Sequence, residues 1–186
     1  MIKDGIFIEF PVIKTERLTL RKLEKNDVEK MFKIFSNEKI MQYYGRFPMT
    51  EITEAEELMS KFSQTFESNE AIRWGIELKD RNIFIGTCGF HNWKKSHSRT
   101  EIGYELAEEH WGYGYMKEAV GAIVKYGFEQ MDLNRIEAVV YPENIASEEL
   151  LKRLGFQYEG LLRKYAYFRE MYQDLNMLSL LRQEYK

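Results

Sequence analysis

Apolar and polar residues follow two different spacings along the chain, and the order in which they appear predicts a mixed α/β fold. Residues 17–21 alternate like a strand, and apolar side chains then recur at helical spacing over 28–35. A second helix is predicted from about 50 to 66, and its run of glutamates is typical of a solvent-facing surface. An aromatic loop at 41–48 separates the two helices. We therefore expect a strand followed by two helices at the start.

The rest of the chain predicts more strands than helices. Strands at 71–78 and 82–91 flank a hairpin turn, and 93–98 is predicted to be a polar loop. The remaining predicted elements are a strand at 99–107, a helix from about 115, a strand at 135–141, a short helix from Asn144 to Gly155 and a strand at 174–181. The strand at 99–107, the helix and the strand at 135–141 form a βαβ unit, so we expect parallel strands, a right-handed crossover and a ligand at their carboxyl ends.

Composition limits the class of protein. With 186 residues and 44% hydrophobic content, the chain is expected to form one domain spanning 1–186. A net charge of −3 gives no basic footprint, so nucleic acid is not an expected partner. The single cysteine, Cys88, excludes an intrachain disulfide, and no apolar run reaches membrane-spanning length. The expectation is a soluble protein of the cytoplasm with no membrane partner.

The segment between the strand at 99–107 and the following helix carries two glycines, Gly112 and Gly114. Such a loop points successive backbone N–H groups into one concavity, and the helix adds its unpaired amides, so phosphates bind there without a basic side chain. Lys117 occupies the third glycine position of a Rossmann fingerprint, and no Gly-Lys-Ser/Thr follows. Some other phosphate-bearing ligand is expected.

From Trp111-Gly-Tyr-Gly-Tyr-Met through 144–147 to 154–156, the chain resembles the GNAT superfamily of acetyl-CoA-dependent N-acetyltransferases, and in particular the RimJ/RimL-type ribosomal-protein N-terminal acetyltransferases. The family pattern is Gln/Arg-x-x-Gly-x-Gly/Ala; Gly114 matches it, whereas Trp111 and Met116 depart from it. The resemblance implies a mixed, mostly antiparallel sheet with helices on both faces. It also implies acetyl-CoA in the opening between the strands at 99–107 and 135–141.

The resemblance also implies the residues that bind this cosubstrate. Backbone groups of Leu106 and Ala107 would face the pantetheine arm, and Asn144 would bind on the same side. An alternative for Asn144 is a helix N-cap. The complete set is Leu106, Ala107, Trp111, Gly112, Tyr113, Gly114, Tyr115, Met116, Lys117, Asn144 and Ser147, of which 111–117 would hold the pyrophosphate.

Two residues are candidates for the chemistry. Glu101 alternates onto the polar face of its strand and matches the glutamate base of many histone-type members; the alternative is a sheet glutamate paired with a cation such as Arg99. Ser147 matches the serine that RimJ/RimL-like enzymes place near the thioester sulfur. A tyrosine acid used elsewhere in the superfamily is replaced by Leu151, and a second glutamate base by Ala166.

Acceptor and partners are less constrained by the sequence. An α-amino group, with a pKa of roughly 7.7 to 8.0, loses its proton more easily than a lysine near 10.4, which favours a protein N-terminus as acceptor. The alternatives are a small amine, such as a polyamine, an aminoglycoside or an amino acid, or a non-catalytic acyl-CoA-binding module. His91 and His97 lack companions at ligand spacing, so no metal is expected. Whether the chain forms a homodimer is left open.

Overall fold

The computed structural model describes residues 9–185, which fold around one eight-stranded sheet with the order β1-β2-β3-β4-β5-β6-β8-β7. Strands β5 and β6 pair in parallel, and every other neighbouring pair is antiparallel. The strands are β1 Ile13–Lys14, β2 Leu18–Arg21, β3 Ile72–Leu78, β4 Ile83–Lys94, β5 Arg99–Leu106, β6 Arg135–Val140, β7 Gln157–Phe168 and β8 Met171–Leu181. The α-helices are α1 Val28–Phe35, α2 Glu38–Met41, α3 Ile52–Glu67, α4 Tyr115–Glu129 and α5 Ile145–Arg153.

Helices cover both faces of the sheet. On one face, α4 packs against buried strand residues such as Trp74, Phe90 and Ile136. A second apolar cluster joins α1 and α3, through Met31 and Met59 among others. Side chains alternate between the two faces of a strand. The strand residues that alternate with those of the first cluster therefore point toward α1 and α3.

The parallel strands β5 and β6 are hydrogen-bonded to each other at one end only. Its partnered residues are Arg99 with Arg135, Thr100 with Ile136 and Glu101 with Glu137. Beyond Glu101, β5 continues beside β4 while β6 continues beside β8. The two strands therefore separate toward their carboxyl ends and leave an opening in the middle of the sheet.

The predicted order of the elements is confirmed, including the hairpin of β3 and β4 and the parallel pairing in the βαβ unit. Several elements differ from the prediction. The polar loop at 93–98 instead continues β4 to Lys94 and then makes one turn of 3-10 helix at Lys95–His97. The one-turn helix α2 was not predicted before the aromatic loop, because Asn37 caps too short a segment to show periodicity.

The largest error is β7, which the sequence does not predict at all. Most of its side chains are exposed, and bulges break its pairing with β8, so apolar and polar residues do not alternate. One irregularity surrounds Lys164, whose φ of +52° is fixed by a 2.7 Å hydrogen bond from its N–H to Asp174 Oδ1. Strand β8 accordingly begins at Met171 rather than at Asp174. Within residues 9–185, no helix is long and apolar enough to cross a membrane.

Candidate active site

A cleft of about 1120 Å³ occupies the opening between β5 and β6. Its walls come from the end of β5, the glycine loop, the end of β6 and the start of α5. Most of the residues expected to bind acetyl-CoA line it: Leu106, Trp111, Gly112, Gly114, Tyr115, Met116, Lys117, Asn144 and Ser147. Tyr113, Ala107 and Glu101 are not among the lining residues. The structure thus gathers at one cleft residues that are more than 40 positions apart in the sequence.

The glycine loop has the backbone geometry of an anion site. Gly112 and Gly114 have φ values of +81° and +79°, in the left-handed region that favours glycine. Gly114 is the N-cap residue of α4, and no side chain among the described residues caps this helix end. The first N–H groups of α4 therefore have no intrahelical partner and are available to an acceptor such as a phosphate oxygen.

An ion pair fastens this loop to the start of the sheet. Arg17 Nε lies 2.7 Å from Glu118 Oε2, and Arg17 Nη1 donates to the Tyr113 carbonyl at 2.9 Å. The guanidinium also stacks over the Tyr115 ring, 4.6 Å from its centroid. Although partial burial opposes it, hydrogen bonds from Thr15 and Arg17 lower the pKa of Glu118. The loop is thus held in place before any ligand binds.

Trp111, one of the two departures from the family pattern, bonds back to β5. Its indole Nε1 donates to the Leu106 carbonyl at 2.8 Å. The next residue, Ala107, uses both of its backbone groups within the protein, since its N–H donates to Ile85 and its carbonyl accepts from His110. Because bonding alternates along an antiparallel strand, the Leu106 N–H points away from β4 and toward the cleft. Of the two predicted backbone contacts, the structure therefore favours Leu106.

Glu101 lies where β5 and β6 separate, on the face of β5 that points toward α1–α3. Its Oε2 is 3.3 Å from His91 Nε2, and its side chain is 14% exposed. The hydrogen bond from His91 is the main cause that lowers the pKa of Glu101, against an opposing effect of burial. His91 is a lining residue of the cleft, whereas Glu101 is not. The partner of Glu101 is thus the His91 imidazole, whereas Arg99 bonds to Glu137.

Asn144 and Ser147 form the start of α5. Asn144 Oδ1 accepts from the Ser147 N–H at 3.2 Å, so this residue is the helix N-cap that the sequence allowed. The Ser147 hydroxyl lies 2.6 Å from the phenol oxygen of Tyr104 on β5. Leu151, one turn further on, is fully buried. Two hydroxyl groups therefore meet on the wall of the cleft where the sequence indicated only one.

A buried ion pair that the sequence does not predict lies on the face of β5 opposite to Tyr104. Arg73 pairs with Glu105, and it also donates to Thr87 Oγ1 and to the Gly103 carbonyl, each at 2.9 Å. Burial, and next the charge of Glu105, raise the pKa of the nearby Tyr44 phenol. These residues come from separate strands and a loop, so no local motif announces them. Only the register of β3, β4 and β5 brings them together.

Comparisons with known proteins agree with this geometry. A family model described as an acetyltransferase (GNAT) domain matches residues 17–157. A relative from Bacillus subtilis (strain 168), the uncharacterized N-acetyltransferase YoaA, is 42% identical over 93% of this chain and 98% of its own length. The [ribosomal protein uS5]-alanine N-acetyltransferase of Escherichia coli (strain K12) is 30% identical over 58% of this chain and 56% of its own.

A solved structure shares the fold. It is the spermidine N-acetyltransferase of Vibrio cholerae in complex with CoA and spermine, with a TM-score of 0.81 and 27% identity, covering 92% of this chain and 99% of that one. The fold and the cleft define an acyltransferase that uses an acyl-CoA. More specifically, the chain belongs to the GNAT family of N-acetyltransferases, and acetyl-CoA is its cosubstrate. No group of three or more potential metal ligands occurs within the described residues.

Proposed function

We propose that this N-acetyltransferase transfers the acetyl group directly to the α-amine of a protein or peptide, within a ternary complex. One observation carries the proposal: a single cleft connects a preformed anion-binding loop to His91, whose imidazole is paired with the Glu101 carboxylate where β5 and β6 separate. The first feature suits the pyrophosphate of CoA. The second suits an amine that must lose a proton.

Bound acetyl-CoA supplies the thioester that is attacked. In the proposal, N–H groups of the loop from Trp111 to Lys117 hold the pyrophosphate, and the Leu106 N–H donates to the oxygen that gains charge. Glu101 takes the proton of the amine, through His91 or a water molecule. Ser147 faces the departing sulfur from the opposite face of β5. No covalent acetyl-enzyme is needed, because Cys88 is buried and burial raises the pKa of its thiol to about 12.

The charge of the cleft supports an acceptor with one ammonium group over a polycation. Five cationic side chains line it: Lys39, Arg46, Arg73, Lys117 and Arg153. Glu105 and Glu149 are the carboxylates among its lining residues. Arg73 is paired with Glu105, and Lys39 is paired with Glu108 outside the lining, so three of the cations remain against Glu149. A second or third positive charge on the acceptor would therefore meet more repulsion than attraction.

A small amine remains the second candidate, because the chain resembles a spermidine acetyltransferase along nearly its whole length. The decisive experiment is thiol release from acetyl-CoA, followed with a colorimetric reagent. The panel comprises peptides with free N-termini, spermidine, an aminoglycoside and amino acids, each with and without enzyme. Turnover of peptides with little turnover of spermidine is expected. Preference for spermidine would overturn the α-amine proposal, and silence across the panel with CoA bound would favour a non-catalytic acyl-CoA-binding role.

A further inference from the structure

The hydroxyl groups of Tyr104 and Ser147 form a bridge across the opening between β5 and α5. Their oxygens lie 2.6 Å apart, and both residues line the cleft. Tyr104 lies beyond the last residue of β5 that pairs with β6, so no backbone bond to β6 duplicates this link. The bridge is thus a side-chain contact at the place where the sheet itself is open.

Counting protons shows what this bridge offers to a ligand. Two hydroxyls carry two protons, and their mutual hydrogen bond uses one. Within residues 9–185, neither hydroxyl has another hydrogen-bond partner. Either oxygen can be the donor at this distance, and the greater acidity of a phenol favours Tyr104 as the donor and Ser147 as the acceptor. The free proton is then that of Ser147, and it can point into the cleft.

We propose that Tyr104 is a positioning residue that directs the Ser147 hydroxyl proton toward the sulfur of CoA. This inference rests on the proposed place of Ser147 beside that sulfur. It also accounts for Leu151, where the superfamily's tyrosine acid is missing. In this chain a phenol reaches the same region from β5 instead of from α5.

The bridge stabilises the thiolate by hydrogen bonding rather than by giving up a proton. When the amine attacks and the C–S bond breaks, the electron pair stays on sulfur and the amine's proton goes to Glu101 or water. Burial raises the pKa of Tyr104 to about 12, despite the hydrogen bond with Ser147, and the charge of Glu105 also raises it. A thiol has a pKa of roughly 8.5, so the phenol keeps its proton and the thiolate is later protonated from solvent.

The test is the pKa of the thiol of bound CoA, followed by the ultraviolet absorbance of its thiolate during a pH titration. This measurement needs no acceptor amine. The protein's single thiol, Cys88, is buried and its pKa is raised to about 12, so it ionises well above the range in which the thiol of CoA titrates. In the wild-type protein we expect the thiol of bound CoA to titrate about one pH unit below that of free CoA, the size of one hydrogen bond to a charged group.

Tyr104→Phe and Ser147→Ala should each remove most of this shift, and the double variant should remove no more than either alone. Ser147→Thr keeps the hydroxyl and should retain the shift. Tyr126→Phe is the matched control, since it removes a half-buried phenol from α4 outside the cleft. Calorimetry of CoA binding confirms that each variant is folded.

A lowered thiol pKa that persists in Tyr104→Phe, beside a normal value in Ser147→Ala, would overturn the role of Tyr104. An unshifted thiol in the wild-type protein would overturn the inference and the place of Ser147 together. The thiol pKa and the turnover of peptides are measured separately, so a failure of this inference can be distinguished from a failure of the proposed acceptor. Failure of the wild-type protein to bind CoA at all would instead contradict the cleft assignment.

Discussion

The two ends of the β5–β6 pair differ in what holds them together. At the closed end, residues 99–101 of β5 pair in parallel with residues 135–137 of β6. There Glu137 accepts hydrogen bonds from Arg99 Nη1 and Arg135 Nε, each at 2.6 Å. At the open end the backbones separate, and the Tyr104–Ser147 bridge links β5 to α5. The closed end concentrates charge in a buried position, whereas the open end leaves backbone groups free for a ligand. Stability and binding are thereby assigned to opposite ends of the same two strands.

Removing the central carboxylate of the closed end should have the largest effect. Glu137 is only 6% exposed and accepts from two guanidinium groups, so Glu137→Ala removes two charge-assisted hydrogen bonds at a buried position. Arg135 keeps its pair with Glu159, and the Arg99 side chain is 38% exposed and can be hydrated. We expect a loss of about 2 kcal/mol in the free energy of unfolding, measured by urea denaturation. Glu129→Ala, which breaks an exposed pair 4.0 Å from Lys125, should cost about 0.5 kcal/mol or less. Equal losses in the two variants would show that the closed end is not specially dependent on Glu137.

A charge placed in the glycine loop should weaken the binding of CoA at the open end without destabilising the closed end. Gly114→Glu forces a side chain onto a backbone with φ +79° and brings a carboxylate to the N-terminus of α4, where the phosphates are proposed to bind. We expect the Kd for CoA to rise at least about tenfold in calorimetry. Gln64→Glu adds the same charge on the exposed surface of α3 and should leave the Kd unchanged. Unchanged affinity in Gly114→Glu would remove the loop from the binding site.

At the junction of the two ends, the expected effect is on rate rather than on affinity. Glu101→Gln should lower kcat by about tenfold and leave the Kd for CoA unchanged, because the amide cannot take a proton. The hydrogen bond with His91 lowers the pKa of Glu101, so the wild-type carboxylate stays ionised down to below its ordinary value of 4.5. The deficit should therefore be greatest toward low pH, where the amine arrives protonated.

Glu77→Gln is the matched control for this variant. Glu77 also bonds to a cationic side chain, Arg21 at 2.7 Å, but on β3 and away from the cleft. Its kcat and pH profile should match those of the wild-type protein. A wild-type profile in Glu101→Gln would exclude Glu101 as the base and leave that role to His91 or water.

The features around the cleft were unequally visible in the sequence. The glycine loop is a contiguous segment, and Gly112, Gly114 and the apolar face of α4 can be read from it directly. The Arg73–Glu105 pair and the Tyr104–Ser147 bridge join residues 32 and 43 positions apart, so they exist only once the strand register is known. Strand β7 was missed for a related reason, because its exposed and bulged pairing leaves no alternation to detect.

The smallest predicted effect on stability concerns Glu159, at the outer edge of the closed end. The pH dependence of this effect shows whether it is electrostatic. Glu159 on β7 accepts two hydrogen bonds from Arg135, at 2.5 and 2.6 Å, and one from Ser179. The bonds with Arg135 are the main cause that lowers the pKa of Glu159 to about 2. Because its side chain is 41% exposed, solvent screens the pair, and Glu159→Gln should cost about 0.5–1 kcal/mol at pH 7.

The sign of the pH dependence follows from the lowered pKa. A carboxylate that titrates near 4.5 when unfolded and near 2 when folded stabilises the folded state above pH 4.5, and this contribution is lost as pH falls from 4.5 to 2. The difference in Tm between the wild-type protein and Glu159→Gln, about 1–4 °C at pH 7, should therefore shrink over that interval. A difference that persists unchanged at pH 2 would mean that Glu159 acts by packing. The ion pairs of the closed end would then owe their effect to shape rather than to charge.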